Sequence, residues 1–441
     1  MTHKKVLVIT YYWPPAGGIA VQRVTKFCKY LSEFGWEPII LTIKDGNFEN
    51  VDNTLLSDIE NVKNVYRSSS IEPHTLYKVI GKLITPKKSR TQKPGTNTPK
   101  RTGFATFSEY IRLNVFIPDT RIGWLPSACR RANKIIAKYK PDLIFSTAPP
   151  YTPHLIAMKL HKNHSIPWVA DFRDPWVEST LYNTVKRLKI VKTINRQLER
   201  KVISNASALV FTGPGLRDHY MKDTGIDFSL KANIITNGYD PSDVQIKTTG
   251  NPDKFYITYF GSLYFRRFNA HIFQLLARLI KNNRDIADTL CMRFIGNIDI
   301  EVQQFIKQLI PENNLVFYDY IPYKEAVKEL LAPQLLLLII DRVPFNDNIT
   351  LGKVFDYLAT GNPILGIGPP NGDTAKIIQS ANAGKLFDYD DEFPIENFIL
   401  EKHKMWKENH LRSEHMDLKI YERKYLTEKL ASVFDKITGD I

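Results

Sequence analysis

The sequence is poor in cysteine. Its 441 residues hold three, Cys28, Cys129 and Cys291. They are too few for a disulfide framework and too widely spaced for a metal-ligand cluster, which fits a reducing compartment. Long apolar runs are missing too. The longest, Leu335–Ile340, falls far short of the roughly 20 residues that a membrane-crossing helix needs. No signal-peptide pattern opens the chain, which goes straight into a strand-like run, so a cytoplasmic protein is expected. The dinucleotide fingerprint G-x-G-x-x-G is absent, which leaves a nicotinamide reading little support. Zinc-finger, helix-turn-helix and aromatic RNA-binding patterns are also absent, so nucleic acid ranks last among partners. Acidic residues are outnumbered 46 to 60, giving a net charge of +14. That excess permits an anionic membrane face or phosphorylated substrates.

What is present is the composition of an ordinary folded protein, 43% hydrophobic and 24% charged, with enough length for two domains. Lys4–Thr10 is a β-branched apolar run suited to a buried parallel strand. A loop, YYWPPAGGIAVQR, then a helix to about Leu31 and a strand at Trp36–Thr42 follow. A strand–helix–strand opening implies a doubly wound α/β fold. Gly17 and Gly18, between strand and helix, either let backbone approach a ligand or serve the turn alone. The layout restarts at Lys254–Phe260, with a turn at Gly261-Ser262-Leu263 and a helix from about His271. Arg266 and Arg267 follow that turn, and a guanidinium fork matches phosphate oxygens. The cluster Gly250-Asn251-Pro252-Asp253 marks the expected boundary.

Asn348–Leu365, NITLGKVFDYLATGNPIL, reads as loop, helix and buried strand. Gly352 and Lys353 stand where the helix begins, and free N–H groups there favour anions. Asp356 lies one turn inside and could hold a hydroxyl pair such as a ribose diol. Pro363 ends the helix. A nucleotide site and a capped surface helix remain equal readings of this stretch. The strand Pro167–Ala170 is followed by Asp171, Arg173, Asp174 and Trp176, a strand-end position where α/β proteins bind ligands. Asp171 could act as a base or orient a substrate hydroxyl; a structural Arg173–Asp174 pair is the plainer alternative. Lys186–Ser204 is amphipathic, with Lys189, Lys192, Arg196 and Arg200 on one stripe. With the basic stretch Lys78–Arg101 it either meets an anionic surface or is simply solvated. The triplet Asp388–Asp390 reads as a solvated turn, not a metal site.

Taken in order, YYWPPAGGIAVQR, DFRDPW, ITNGYD, FGSL and GKVFDYLATGNPIL resemble glycosyltransferase family 4. The combination of PDTRIGWLP and DFRDPW resembles the subset found in bacterial cell-surface polysaccharide assembly. The resemblance implies the GT-B fold, two Rossmann-like domains facing each other across a cleft. Residues 1–250 would take the acceptor and residues 251–415 the nucleotide-sugar donor. Residues 416–441 would form a C-terminal helix that could cross back to the N-terminal domain. It further implies transfer with retention, from a UDP- or GDP-linked sugar to a glycan or lipid-linked acceptor, without metal or other cofactor. A cytoplasmic enzyme of this kind could sit at the inner face of the plasma membrane.

Carried over residue by residue, Gly17 and Gly18 would approach the reacting end of the donor. Arg266 or Arg267, with Lys353, would neutralise the diphosphate, beside Gly261, Ser262 and Gly352. Asp356 would hold the ribose. Asp171 falls where other branches place a histidine, with Arg173 and Asp174 as its catalytic neighbours. The family's two glutamates, eight positions apart, correspond to Asn348 and Asp356. Asparagine carries no charge to the sugar, which keeps two alternatives in view: a non-catalytic GT-B scaffold subunit and a nucleotide-sugar 2-epimerase.

Overall fold

Runs of branched apolar residues set between glycine turns and amphipathic segments build parallel sheets covered by helices. The computed structural model describes residues 3–46, 48, 50–71, 110–177, 187–244, 253–319, 321–332, 334–411 and 418–439. The basic stretch Lys78–Arg101 and most of the Gly250–Asp253 cluster lie outside them. The chain divides into two units. Met1–Thr236 with Leu426–Ile441 form the first, and Asn237–Tyr425 the second.

The first unit holds seven parallel strands: β1 (Lys4–Ile9), β2 (Trp36–Ile43), β3 (Asn64–Ser68), β4 (Leu143–Ala148), β5 (Trp168–Phe172), β6 (Ala208–Phe211) and β7 (Ala232–Ile234). Their order is β3-β2-β1-β4-β5-β6-β7. The order reverses between β1 and β4, and ligands of open α/β sheets bind in the crevice at such a switch point. Helix Ile19–Tyr30 starts right after the β1 loop. The central strands are buried on both faces, as parallel strands must be when helices cover each side. The last helix, Arg423–Thr438, supplies Leu426, Leu430 and Phe434 to the same apolar cluster as Trp36 and Phe145.

The second unit holds six parallel strands: β8 (Phe255–Phe260), β9 (Leu290–Ile295), β10 (Leu315–Tyr318), β11 (Leu335–Ile339), β12 (Ile364–Ile367) and β13 (Gly384–Phe387). Their order is β10-β9-β8-β11-β12-β13, so its switch point lies between β8 and β11. The all-leucine and isoleucine β11 is central and fully buried, as its composition requires. Helix Lys353–Thr360 follows it and ends at Gly361, whose φ of 73° closes the helix in the left-handed conformation.

Two differences from the sequence-based expectation stand out. The strand expected to stop at Ala170 runs on through Phe172, so Asp171 sits inside β5, opposite Thr147 and Val210. β3 and the helices Ile300–Leu309 and Glu392–Lys407 were not expected. Gly352 stands at the start of helix Lys353–Thr360, as expected, with ordinary right-handed dihedrals (φ −58°).

Candidate functional site

At the switch point of the second unit, β8 ends at Phe260 and the chain turns at Gly261 with φ +95°. Only glycine adopts this backbone freely, and a Cβ there would stand 3.3 Å from Lys353 Nζ. Lys353 thus reaches from the first turn of its helix to the turn after β8. Its Nζ donates to the Phe260 carbonyl at 2.6 Å and lies 4.1 Å from the centre of the Tyr259 ring. Burial, then the nearby Arg267 charge, hold its pKa well below the ordinary lysine value, against the pull of Asp341 and Asp356. The Tyr357 hydroxyl bridges the parting strands: it accepts from Phe260 N at 3.0 Å and donates to Leu337 O at 3.1 Å.

Arg266 and Arg267 meet at the same place through one buried acid. Asp341, just past β11, accepts from Arg267 Nε and lies 3.2 Å from Arg266 Nε. Asp341 was not singled out in the sequence. Its signal is an acid directly after a six-residue apolar run, where a strand end meets a crevice. Lys353, Arg266 and Arg267 thus gather at the Gly261 turn, with Asp341 shared by the two arginines and Asp356 acting on Lys353, a set of cations suited to a diphosphate. Ser262 takes part through its backbone: its carbonyl accepts from the Tyr259 hydroxyl at 2.9 Å.

Asp356 is buried in the first turn of the same helix and accepts from the Tyr323 hydroxyl at 2.7 Å. Burial raises its pKa to about 6, although the Tyr323 hydrogen bond and the Arg423 charge pull the other way. Tyr323 is a second residue that the sequence did not announce. Asn348 is half-buried at the end of a short turn, Asn346–Asn348, which follows Phe345 in the left-handed conformation (φ 63°). In the triplet Asp388–Asp390 both acids are exposed, and Asp390 pairs with Arg342 at 3.1 Å.

At the first unit's switch point, Gly18 precedes helix Ile19–Tyr30 with φ +102°. The space where its side chain would stand is open to at least 4 Å. Gly17 is half-buried, and its N–H donates to Asn50 O at 3.0 Å. Asp171 is fully buried, and Arg23 grips it: Nη2 donates to Oδ1 at 2.7 Å and Nε to Oδ2 at 3.1 Å. The Thr147 hydroxyl adds a bond at 2.7 Å. Burial pushes the Asp171 carboxyl up, but Arg23 and Thr147 outweigh it and hold the pKa below its ordinary value. Arg173 makes no ion pair with Asp174 among the described residues; its guanidinium donates to the Ala148 and Pro149 carbonyls. Asp174 is exposed, and its carbonyl accepts from the Tyr151 and Tyr220 hydroxyls, each at 2.9 Å. Asp119, from the PDTR stretch, accepts from Tyr151 N, Thr152 N and the Thr152 hydroxyl at 2.6–3.0 Å. Asp119, which lies between β3 and β4, and the loops after β4 and β5 are thereby tied to one another.

The sequence of residues 82–243 matches the family described as Glycosyltransferase Family 4. The match covers a little over a third of the chain, almost all of it within the first unit. No curated protein matches its sequence. Solved structures do match its fold. Sucrose-phosphate synthase from Thermosynechococcus elongatus aligns with a TM-score of 0.58 at 12% identity, over 99% of this chain and 96% of that one. WaaG, a glycosyltransferase involved in lipopolysaccharide biosynthesis, aligns at 0.55 and 14%, over 98% and 100%. A trehalose-6-phosphate protein from E. coli bound with UDP-2-fluoro glucose aligns at 0.57 and 12%, over 98% and 96%. At such identities the likeness establishes the fold, GT-B.

In the second unit, Gly261, Arg266, Arg267 and Lys353 form one cluster, with Ser262 in the same turn. Asp356 and Asn348 belong to the same helix and the loop before it. Asp171, inside β5, is bonded by Arg23 and Thr147; the Arg173 guanidinium donates to carbonyls, and Asp174 accepts through its backbone carbonyl. Arg266 and Arg267 also border a cavity of about 340 Å³ with His271, Arg342 and Tyr389.

Proposed function

We propose that this chain is a glycosyltransferase that moves a sugar, with retention, from a UDP- or GDP-linked donor to a glycan or lipid-linked acceptor in cell-surface polysaccharide synthesis. The observation that carries the donor assignment is the cation cluster at the β8/β11 switch point. Lys353 Nζ stands against a glycine turn, and Asp341 holds two arginines beside it. Backbone N–H groups of helix Lys353–Thr360 and the three cations would meet the charge of the leaving diphosphate without a metal. Asp356 would take the ribose hydroxyls, and Gly17 and Gly18 would admit the reacting end. Asp171, Arg173 and Asp174 would set the acceptor loops rather than transfer protons. The E. coli structure bound with UDP-2-fluoro glucose supports a nucleotide-sugar donor for this fold. WaaG's role in lipopolysaccharide biosynthesis supports a cell-surface glycan. No helix among the described residues is long and apolar enough to cross a membrane; a lipid-linked acceptor would be met from the inner face of the plasma membrane.

A thermal-shift panel of nucleotides and nucleotide sugars tests the donor site, since a ligand stabilises the fold it binds. A rise in Tm with one nucleotide series, lost in Asp356→Ala, is expected. No shift with any nucleotide would overturn the assignment and favour a scaffold subunit. A nucleotide sugar recovered with C2 inverted would favour an epimerase.

A further inference from the structure

Helix Lys189–Asn205 buries Val191, Asn195, Glu199, Val202 and Ile203 against the first unit and turns its other side to solvent. At its N-terminal end that outer side is apolar. Leu188 is 46% exposed and Ile190 63%. The helical turn at residues 110–115 lies beside them, joined by Leu188 N donating to Asn114 Oδ1 at 2.7 Å. It contributes Val115, 64% exposed, and Tyr110, 38% exposed. Single apolar side chains on a surface are ordinary, but three aliphatics and a tyrosine where two segments meet form a patch.

Among the described residues of these two segments the charge has one sign. The segments 110–116 (YIRLNVF) and 187–194 (RLKIVKTI) contain Arg112, Arg187, Lys189 and Lys192 and no Asp or Glu. Arg112, Lys189 and Lys192 are exposed. None of these three has an ion pair among the described residues, whereas Arg196, one turn further on, is taken up by Asp223. Glu199, the nearest acid on the helix, points inward. Exposed aliphatics ringed by uncompensated cations match an anionic lipid headgroup layer over an acyl interior. Lysine stems can follow the apolar surface while their ammonium groups stay among the headgroups.

We propose that this patch docks the enzyme on an anionic lipid bilayer, with Val115, Leu188 and Ile190 entering the headgroup–acyl boundary and Arg112, Lys189 and Lys192 among the headgroups. The inference gives a surface to the membrane location proposed above and is independent of the donor site. Of the basic stripe read from the sequence it uses the N-terminal end, where the exposed apolar side chains lie; Arg196 is paired with Asp223, and Arg200 lies further along the helix.

The test is sedimentation of the full chain with large unilamellar vesicles of phosphatidylcholine alone, or with roughly 30% phosphatidylglycerol. Binding is expected on the mixed vesicles and at least about tenfold weaker on the neutral ones. The double variants K189E/K192E and L188S/I190S should each lose about tenfold on the mixed vesicles while keeping the parent Tm. All three native cysteines are buried, so an environment-sensitive thiol dye can be placed at I190C alone. Its emission should shift to the blue with mixed vesicles and not with neutral ones. Parent-like sedimentation of both double variants, or a dye at position 190 that does not respond, would overturn the proposal. Asp356→Ala should sediment like the parent, so a failed donor assignment would leave the vesicle result standing.

Discussion

A lysine ammonium loses most of its hydration on burial, and Lys353 regains a carbonyl hydrogen bond and the face of Tyr259 in return. Its charge is thus held in a place that suits an incoming anion better than it suits the empty fold. Lys353→Met should therefore leave Tm unchanged or raise it, while nucleotide affinity falls about 10- to 100-fold, the value of a charge-assisted contact. Calorimetric titration beside an unliganded melt separates the two effects; a variant that loses stability and keeps affinity would refute the assignment. Asp356 gives a pH signature. Its folded pKa of about 6 lies above the ordinary carboxyl value of 3.8, so the native state binds the proton more tightly than the unfolded chain. Stability should accordingly fall as pH rises from about 4 to 6, and at neutral pH the buried charge costs about 3 kcal/mol. Asp356→Asn should flatten that slope and raise neutral-pH stability, measured as urea midpoints across the window. It should also weaken ribonucleotides more than their deoxyribose analogues, because the lost acceptor is the one assigned to the diol.

At the scale of elements, Asp171 is a clamp. Arg23, on the helix after β1, reaches across to β5, and its Nη1 and Nη2 also donate to the Thr236 and Ile235 carbonyls at 2.7 and 2.9 Å. Asp171→Ala would leave a buried guanidinium unpaired, and a loss of about 3–5 kcal/mol is expected. The urea midpoint of the first unit should drop with an unchanged slope. A variant with parental stability and no turnover would instead restore Asp171 as a catalytic group. The sequence places this acid at a strand end because a charged residue inside a fully buried strand is unusual without a partner. The partner is 148 residues away, and no local pattern reports it. Asp341 and Tyr323 escape the sequence for the same reason: what they do is set by Arg266, Arg267 and Asp356, brought near by the sheet. The glycine turns, the apolar strands and the start of helix Lys353–Thr360 are legible because each rests on neighbours in sequence. The helix Ile300–Leu309 buries only Val302 and Ile306, too few positions for a helical period to register.

At the scale of the whole molecule, the end of the chain completes its beginning. The second unit stops at Tyr425, and from Leu426 on the last helix packs with the first unit. Phe434 is fully buried there, 5.2 Å from the Trp36 ring and 5.7 Å from Phe145, and Trp36 Nε1 donates to Asp435 at 3.0 Å. The contacts of Trp36 join residues about 400 positions apart. Closing so long a loop adds little entropy cost beyond a shorter one, since that cost grows only as the logarithm of length. The apolar area of Leu426, Leu430 and Phe434 then decides the matter. Phe434→Ala should destabilise the first unit by about 3–5 kcal/mol, the usual range for removing a buried ring. In scanning calorimetry the transition of the first unit should move down while that of the second keeps its position. Trp36 would report the same event as a red shift in tryptophan emission at the lower transition. Residues 1–425 expressed alone should lack the first unit's cooperative transition, because Trp36 and Phe145 would face water where the helix lay. A sharp, parent-like transition in that shortened chain would mean that the sheet of the first unit is self-sufficient and that the returning helix only decorates it.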